Sequence, residues 1–240
     1  MSGRMARVPW GRSAQHLVLY ATGAGGEELA LYLPTDRPGI GWEDGSNLAG
    51  EPRDTLVLDG VRAEVLLTAP SAAAVRAESA LLTAAMLCGA LQQAFEQTVT
   101  HASTREQFGQ PLIRFQAVAN LVAGFASELE QARVALRRAV SAALAGDPDA
   151  WTRAAAARVM AGRAATEGAR VAHQVHAAMG VTREHPLHLS TRRLWSWRDE
   201  GGTQRWWAER LGYELLGRGP DARWVWITEQ TYVKESPGAK

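Results

Sequence analysis

The chain has 240 residues and a formal net charge of +1, with 46% hydrophobic and 21% charged residues. This length allows one large domain or two small ones with a buried core, and the composition is ordinary for a soluble globular protein. The balanced charge and the lack of any run of mixed basic and aromatic residues give no indication of a nucleic-acid partner.

Cysteine usage and hydropathy indicate the cytoplasm. The single cysteine, Cys88, cannot form a disulfide within the chain, and its apolar helical surroundings predict a buried thiol. Apolar stretches are shorter than the ~20 residues of a membrane span, and residues 1–13 lack the apolar region of a signal peptide. We therefore expect a cytoplasmic protein without membrane contact. His173 and His176 are predicted to pack or hydrogen-bond, and the sequence predicts no metal site.

Residues 1–68 are predicted to form a small β domain. Short runs of β-forming residues alternate with turns at 23–26 and 59–60. A loop is expected over 34–53 because it is rich in Pro, Gly, Asp and Asn. The predicted strands are 16–21, 29–33, 55–58 and 61–67. Three or four strands make one small sheet whose edges need cover.

Residues 69–240 are predicted to form a bundle of four helices. Ser71 is the expected N-cap of the first helix. Apolar residues recur at helical spacing in alanine-rich stretches joined by short loops, which favours an antiparallel bundle. Wide apolar surfaces are expected to pack against another subunit as well. The predicted helices span 72–102, 114–145, 151–178 and a shorter stretch after Gly202 that ends near Gly217.

The turn between the first two predicted helices carries the most informative motif, REQFGQPLIRFQ at 105–116. A turn closed by Phe108 and Gly109 follows Arg105. The planar, permanently charged guanidinium can bond two phosphate oxygens at once. The motif therefore predicts a diphosphate-binding arginine, and the alternative is a solvated arginine in an ordinary inter-helix loop.

Two further motifs follow in order: QVHAAMGVT at 174–182, continued by EHP at 184–186, and Gly202-Thr203 before the last predicted helix. Together with the arginine turn they resemble the flavin-side signature of acyl-CoA dehydrogenases. The resemblance covers nearly the whole chain. Residues 1–68 are similar to the later part of the family's middle sheet domain, and the rest to its C-terminal helical domain. The family's N-terminal helical domain and the first half of its sheet domain have no counterpart.

The resemblance implies a fold, an activity and partners. The fold would be mainly α, a C-terminal four-helix bundle of the acyl-CoA dehydrogenase type preceded by a small partial β-sheet domain. The activity would be α,β-dehydrogenation of an acyl-CoA thioester, in which a carboxylate removes the α-proton and FAD accepts a hydride from the β-carbon. The chain resembles short subunits of actinobacterial heteromeric enzymes that act on steroid-CoA thioesters. A longer homologous partner in a heterotetramer is therefore implied.

The family's cofactor contacts carry over to named positions. Arg105 would bind the FAD diphosphate across a subunit interface, and amide groups near Gln174 would approach the adenosine-diphosphate part. The alternatives are a helix-surface glutamine at Gln174 and a capping threonine at Thr203. The family's paired glycines are alanines here, and their methyl groups would hold a cofactor further away. The implied cofactor-binding residues are Arg105, Phe108, Gln116, Gln174, Ala177, Ala178, Gly180 and Thr203.

The catalytic base is incomplete in this chain. Alignment on the third motif places Gly201 where the family has its glutamate. The neighbouring Glu200 is the candidate base, because desolvation in a closed site can raise the pKa of a carboxylate toward neutrality. An ion pair of Glu200 with Arg198 or Arg205 is the alternative.

A second base position is known in the family, on the helix before the arginine motif. Glu78 is about one residue out of step with it, and one residue is ~100° around a helix. The leading hypothesis is therefore a dehydrogenase subunit that contributes FAD contacts and leaves the base to its partner. The rivals are a non-catalytic structural subunit with decayed flavin contacts and a complete homo-oligomer that uses Glu200.

Overall fold

The computed structural model describes residues 1–228. Six strands precede residue 66, long helices follow from residue 72, and two short strands lie between the first two helices. The strands are β1 (Gly3–Pro9), β2 (His16–Thr22), β3 (Glu28–Pro34), β4 (Ile40–Glu43), β5 (Arg53–Leu58), β6 (Glu64–Val65), β7 (Glu106–Gln107) and β8 (Gln110–Pro111). The helices are α1 (Ala72–Thr104), α2 (Gln116–Ala145), α3 (Ala150–His176), α4 (Leu187–Arg198), α5 (Gln204–Gly217) and α6 (Pro220–Thr228).

The expectation of a mainly α fold, with a helical bundle after a small β part, is confirmed. Division into two domains at residue 68 stays a prediction. The second of those predicted domains runs to residue 240, and its last stretch, 229–240, lies outside the described residues.

The first six strands form two antiparallel sheets, in the orders β1-β5-β4 and β2-β3-β6. The predicted β2–β3 hairpin is confirmed, with Leu19 opposite Leu31. The prediction of a single sheet was wrong, because β5 and β6 on either side of the turn at Gly60 belong to different sheets. The two sheets share one apolar core made of Leu19, Leu31, Leu33, Leu56, Leu58 and Val61.

Helices α1, α2 and α3 form the centre of the bundle. Ser71 caps α1 as predicted, since its hydroxyl oxygen accepts from the backbone N–H of Ala74 at 3.2 Å. Alanines and one glycine let the helices approach closely: a Cβ at Gly168 would lie 2.5 Å from the Phe125 ring. The core between these helices includes Leu87, Leu91, Phe125 and Leu129, with many buried alanines of α3.

Two helices in the described part of the chain were not predicted, α4 and α6. The buried residues of α4 are Leu187, Ser190, Thr191, Leu194 and Ser196. Three of these five residues are polar, so a count of apolar residues passes over the helix. The third predicted helix ends at His176 instead of 178, and a 3-10 turn over Ala177–Val181 follows.

Helix α1 is long and apolar enough to cross a membrane by length and composition, contrary to the sequence-based expectation. The core helix of a soluble protein meets the same criteria. Here Leu87, Leu91 and Ala94 of α1 are buried in the bundle core.

Candidate functional site

The arginine motif folds as a tight hairpin between α1 and α2. Strands β7 and β8 pair, with Gln107 opposite Gln110, around a two-residue turn at Phe108 and Gly109. Both turn residues have positive φ, 52° and 81°, as a type I′ hairpin requires. Positive φ is unusual for a bulky residue such as phenylalanine. The turn therefore holds the Phe108 ring outward, and that side chain is 93% exposed.

Arg105 ends α1 directly before this hairpin. Its backbone N–H donates to the His101 carbonyl at 2.9 Å, and its carbonyl accepts from the N–H of Leu112 at 2.9 Å. The backbone is thus fixed, while the side chain is exposed. Within residues 1–228 the guanidinium has no ion pair or hydrogen bond. Gln116, the first residue of α2, is exposed as well.

The Gln174 segment lies where α3 ends. Gln174, Ala177 and Ala178 are exposed, whereas Gly180 is buried. A Cβ at Gly180 would lie 2.7 Å from His176 Cβ, so this glycine is needed for packing of the 3-10 turn. Ala177 has φ 52° and ψ −136°, a conformation that glycine adopts without strain and alanine does not.

A groove of about 670 Å³ lies beside this segment and includes Gln174 and Gly180. The ring of Trp195 forms one wall and stacks on His173 at 5.4 Å between centroids. Its remaining lining residues are Thr166, Arg170, His173, Val181, His188, Thr191 and Arg192. Sequence reasoning missed these groove residues. The helical spacing of Arg170, His173 and Gln174 in α3 was the one local signal that could have found them.

The two arginines of the groove already have partners. Arg170 pairs with Glu167 of the same helix, and Nε of Arg192 donates to the Leu48 carbonyl at 2.6 Å. Both side chains are at the surface. They add positive charge along the groove without being buried in it.

Thr203 caps the first turn of α5. Its hydroxyl oxygen accepts from the backbone N–H of Trp206 at 3.2 Å, which is the capping role given as the alternative. The side chain is exposed. A cofactor contact by Thr203 stays a prediction.

Glu200 is held by an arginine that the sequence did not suggest. Arg53 of β5 donates to both carboxylate oxygens, Nε to Oε1 at 2.9 Å and Nη2 to Oε2 at 2.7 Å. Asn47 donates to Oε1 at 2.9 Å. The expected partners Arg198 and Arg205 instead pair with Asp199 and Glu209. The catalytic role of Glu200 stays a prediction, and these contacts favour a structural one.

Arg158 of α3 fixes the turn that contains Gly201. One nitrogen, Nη2, lies 2.7–3.2 Å from the carbonyl oxygens of Trp197, Arg198, Glu200 and Gly202, which share its two N–H groups. Burial lowers the pKa of Arg158 to about 10, although Asp199 and Glu200 act in the opposite direction. At neutral pH the guanidinium remains charged and attracts the carbonyl dipoles at the end of α4.

Gly201 and Glu78 occupy neighbouring parts of this region. A Cβ at Gly201 would lie 3.9 Å from Oγ of Ser79, the residue that follows Glu78 in α1. The Glu78 side chain is exposed. The two base positions implied by the resemblance thus come near each other, and the nearest side chain to Gly201 is a hydroxyl.

Comparison with known proteins agrees with this fold. The model of the acyl-CoA dehydrogenase C-terminal domain family matches residues 73–212, more than half of the chain. The chain therefore belongs to the acyl-CoA dehydrogenase family. It is 33% identical over 135 residues to a 3-sulfinopropanoyl-CoA desulfinase from Paraburkholderia xenovorans, which is 56% of this chain and 34% of that protein. The chain thus spans about a third of this curated relative.

Two solved structures are similar over most of the chain. The "Tcur3481-Tcur3483 steroid ACAD G363A variant" superimposes with a TM-score of 0.83 and 30% identity, covering 90% of this chain and 59% of that one. The ChsE4-ChsE5 complex from Mycobacterium tuberculosis gives a TM-score of 0.82 and 25% identity, covering 91% and 60%. The fold is therefore that of acyl-CoA dehydrogenases.

Proposed function

We propose that the chain is a subunit of a flavin-dependent acyl-CoA dehydrogenase and contributes FAD contacts across a subunit interface. The exposed guanidinium of Arg105 carries the proposal: it has no internal partner within residues 1–228, and it belongs to the same inter-helix connection as Phe108, whose ring is 93% exposed. A free arginine next to an apolar side chain suits a diphosphate and a partner surface together.

The hydrogen-bond donors of Arg105, Gln116 and Gln174 suit a dinucleotide. Arg105 supplies one fixed positive charge, and Gln116 and Gln174 supply exposed neutral amides. Bound FAD would accept the hydride from the substrate. The chain's own residues would bind and orient the diphosphate, and the Phe108 ring would exclude water at the interface. The exposed methyl groups of Ala177 and Ala178 keep a ligand further from the backbone than glycines would.

The base is proposed to come from the partner. Gly201 has no side chain, and Glu200 is fixed by Arg53 on the sheet side. A carboxylate with both oxygens bonded to one guanidinium is held in position and faces Arg53, which suits a tether between the sheet and the bundle.

Exposed apolar side chains and the similar solved structures support a longer homologous partner in a heterotetramer. Leu82 and Met86 of α1 are 63% and 45% exposed, and Leu144 of α2 is 85% exposed. One similar structure is a complex of two named components, ChsE4 and ChsE5, and another is a steroid enzyme. The proposed substrate is therefore an acyl-CoA thioester, with a steroid-derived acyl group, in the cytoplasm.

The second candidate is a non-catalytic structural subunit of such a complex. Two observations favour it: alanines stand at 177 and 178, where the family has glycines, and Gly201 stands at the base position. This subunit would assemble without contacting flavin.

Co-expression with a longer acyl-CoA dehydrogenase homologue separates the two candidates. The visible absorbance of oxidised flavin is measured on the purified complex, and the dissociation constant of FAD is measured for Arg105→Ala. Loss of a charge-assisted hydrogen bond should weaken FAD binding by about tenfold to a hundredfold.

Arg114→Ala is the matched control, because Arg114 is also exposed and lies in the same inter-helix connection. It should leave FAD affinity unchanged. A complex that retains FAD equally in both variants, or that assembles without flavin, would support the structural subunit and overturn the proposed contacts.

A further inference from the structure

Three histidine side chains from separate segments meet at one end of the helical bundle. His101 lies in the last turn of α1, His176 ends α3, and His185 precedes α4. One ligand nitrogen of each lies within 4.8 Å of the other two. The rings of His101 and His176 stack at 4.4 Å, and His176 and His185 meet edge to face at 4.7 Å.

His176 has a buried nitrogen that lacks a hydrogen-bond partner in the described part of the chain. Its Nδ1–H donates to the Ala172 carbonyl at 2.7 Å, so the lone pair of the neutral ring is on Nε2. The residue is 2% exposed, and Nε2 has no donor facing it. An unsatisfied buried acceptor is unfavourable, and a Lewis acid would satisfy it.

We propose that His101, His176 and His185 bind one divalent transition-metal ion, with Zn²⁺ as the preferred occupant. Imidazole nitrogen is a ligand that suits Zn²⁺, and three histidines with one water complete a tetrahedral site. The Nδ1–H bond from His176 to a backbone carbonyl is the kind of contact that orients metal-binding histidines. A single ion would then connect the ends of α1 and α3.

The spacing of the three nitrogens is compatible with this ion after small movements. A point equidistant from three atoms that are each 4.8 Å apart lies about 2.8 Å from each of them. Zinc–nitrogen bonds are about 2.0–2.1 Å long. Each nitrogen would therefore move inward by less than about 1 Å. The His101 and His176 rings, whose planes lie at 24° in the stacked arrangement, would also have to rotate so that both lone pairs point at the ion.

His185 must rearrange to bind. Its Nδ1 accepts from the backbone N–H of Leu187 at 3.2 Å, so the neutral ring holds its proton on Nε2. Metal binding through Nε2 moves this proton to Nδ1 and breaks the Leu187 bond. The positive charge of Arg105, four residues after His101, also opposes a cation, so affinity in the micromolar range is expected rather than that of a closed structural site.

The test is titration of the chelator-treated full chain with Zn²⁺ by calorimetry and with Co²⁺ by visible spectroscopy. One ion per chain is expected, with the intense absorption of four-coordinate Co²⁺. His101→Ala and His185→Ala should each weaken binding at least tenfold. These two residues are only partly buried, so the variants are expected to fold.

His16→Ala is the matched control, since His16 is exposed on β2, outside the cluster. It should bind Zn²⁺ as the unaltered chain does. The proposal is overturned by the lack of stoichiometric binding, or by equal binding in the His101→Ala and His16→Ala chains, which would mean an adventitious ion only. Neither result depends on flavin, so the proposed function would be unaffected.

Discussion

Arg53 and Glu200 form a two-point ion pair that connects strand β5 to the turn after helix α4, across 147 positions of the chain. Their side chains are 5% and 17% exposed, so the pair is largely removed from water. Glu51 lies in the same network and accepts from Nε1 of Trp197 at 2.8 Å. The position of the Glu200 carboxylate is therefore determined by the sheet.

The ion pair predicts a large loss of stability when one partner is removed. Glu200→Gln removes the two-point counter-charge of Arg53 and leaves it only the ion pair with Glu51 at 3.2 Å, so the free energy of unfolding should fall by about 2 kcal/mol. Arg53→Met should have a similar effect. The loss in the double variant should be clearly smaller than the sum of the two, because the pair acts as a unit. Urea unfolding measures all three.

Glu209→Gln is the control for the ion pair, since the Arg205–Glu209 pair is at the surface. An exposed pair contributes at most about 0.5–1 kcal/mol. Activity of the assembled enzyme distinguishes the two roles of Glu200. If Arg53→Met keeps turnover while Glu200→Gln abolishes it, Glu200 acts as the base after all.

Ala177→Gly should stabilise the chain. The native φ of 52° and ψ of −136° are strained for alanine, and glycine removes about 1 kcal/mol or more of strain, partly offset by its greater freedom in the unfolded state. A higher melting temperature is the expected readout. The variant should also hold FAD at least as tightly as the unaltered subunit, because one methyl group is removed from the exposed segment.

Ala178→Gly is the neighbouring control. Ala178 lies in the same 3-10 turn but has no positive φ, so glycine adds only unfolded-state entropy. It should be neutral or destabilising by up to about 1 kcal/mol. Equal stabilisation by both variants would contradict the strain at Ala177.

Local sequence signals were sufficient for a large part of this fold. The turn at Phe108 and Gly109, the cap at Ser71 and the long alanine-rich helices each depend on residues a few positions apart. Strand β1 was missed because its side chains are almost all exposed, and pairing with the distant β5 defines it. Strand β4 was missed because it lies in a stretch rich in Gly and Pro.

The parts of the site that the sequence missed depend on long-range contacts. The partner of Glu200 comes from a strand far away in the chain, and no local pattern identifies Arg53. His101 is likewise 75 positions from His176, so their spacing gave no ligand motif. Helix α3 contains several arginines, and the sequence does not distinguish Arg158 from the others. Only the fold shows that Arg158 is buried, with 1% of its surface exposed.

Asp54 predicts a loss of stability in acid. The carboxylate is fully buried and accepts hydrogen bonds from the Arg12 side chain and from the backbone N–H groups of Gly45 and Arg12. The Arg12 hydrogen bond, more than any other contact, holds the pKa of Asp54 well below its usual value of 3.8, against the effect of burial. The unfolded chain then binds more protons than the folded chain, so stability should fall as pH drops below about 4.

Unfolding by urea at a series of pH values measures how the free energy of unfolding changes with pH. Asp54→Asn should be less stable at pH 7 and should lose less stability between pH 4 and pH 3. Arg12→Met removes the main cause of the lowered pKa and should also flatten the slope. If Asp54→Asn keeps the full acid dependence, other carboxylates are responsible.

Cys88 should resist thiol reagents in the folded chain. The residue is 6% exposed, and burial raises the pKa of its thiol to about 11, although Arg133 acts in the opposite direction. At pH 8 the thiolate that reacts is therefore a very small fraction of the population, and reagent access is blocked as well. Labelling with a chromogenic disulfide should be slow in buffer and complete in urea.

A chain with Ser79→Cys and Cys88→Ala is the control, because it presents an exposed thiol on the same helix and should react at once. If Cys88 of the folded, unaltered chain is labelled as fast as the thiol of the folded double variant, α1 opens readily, contrary to its place at the centre of the bundle.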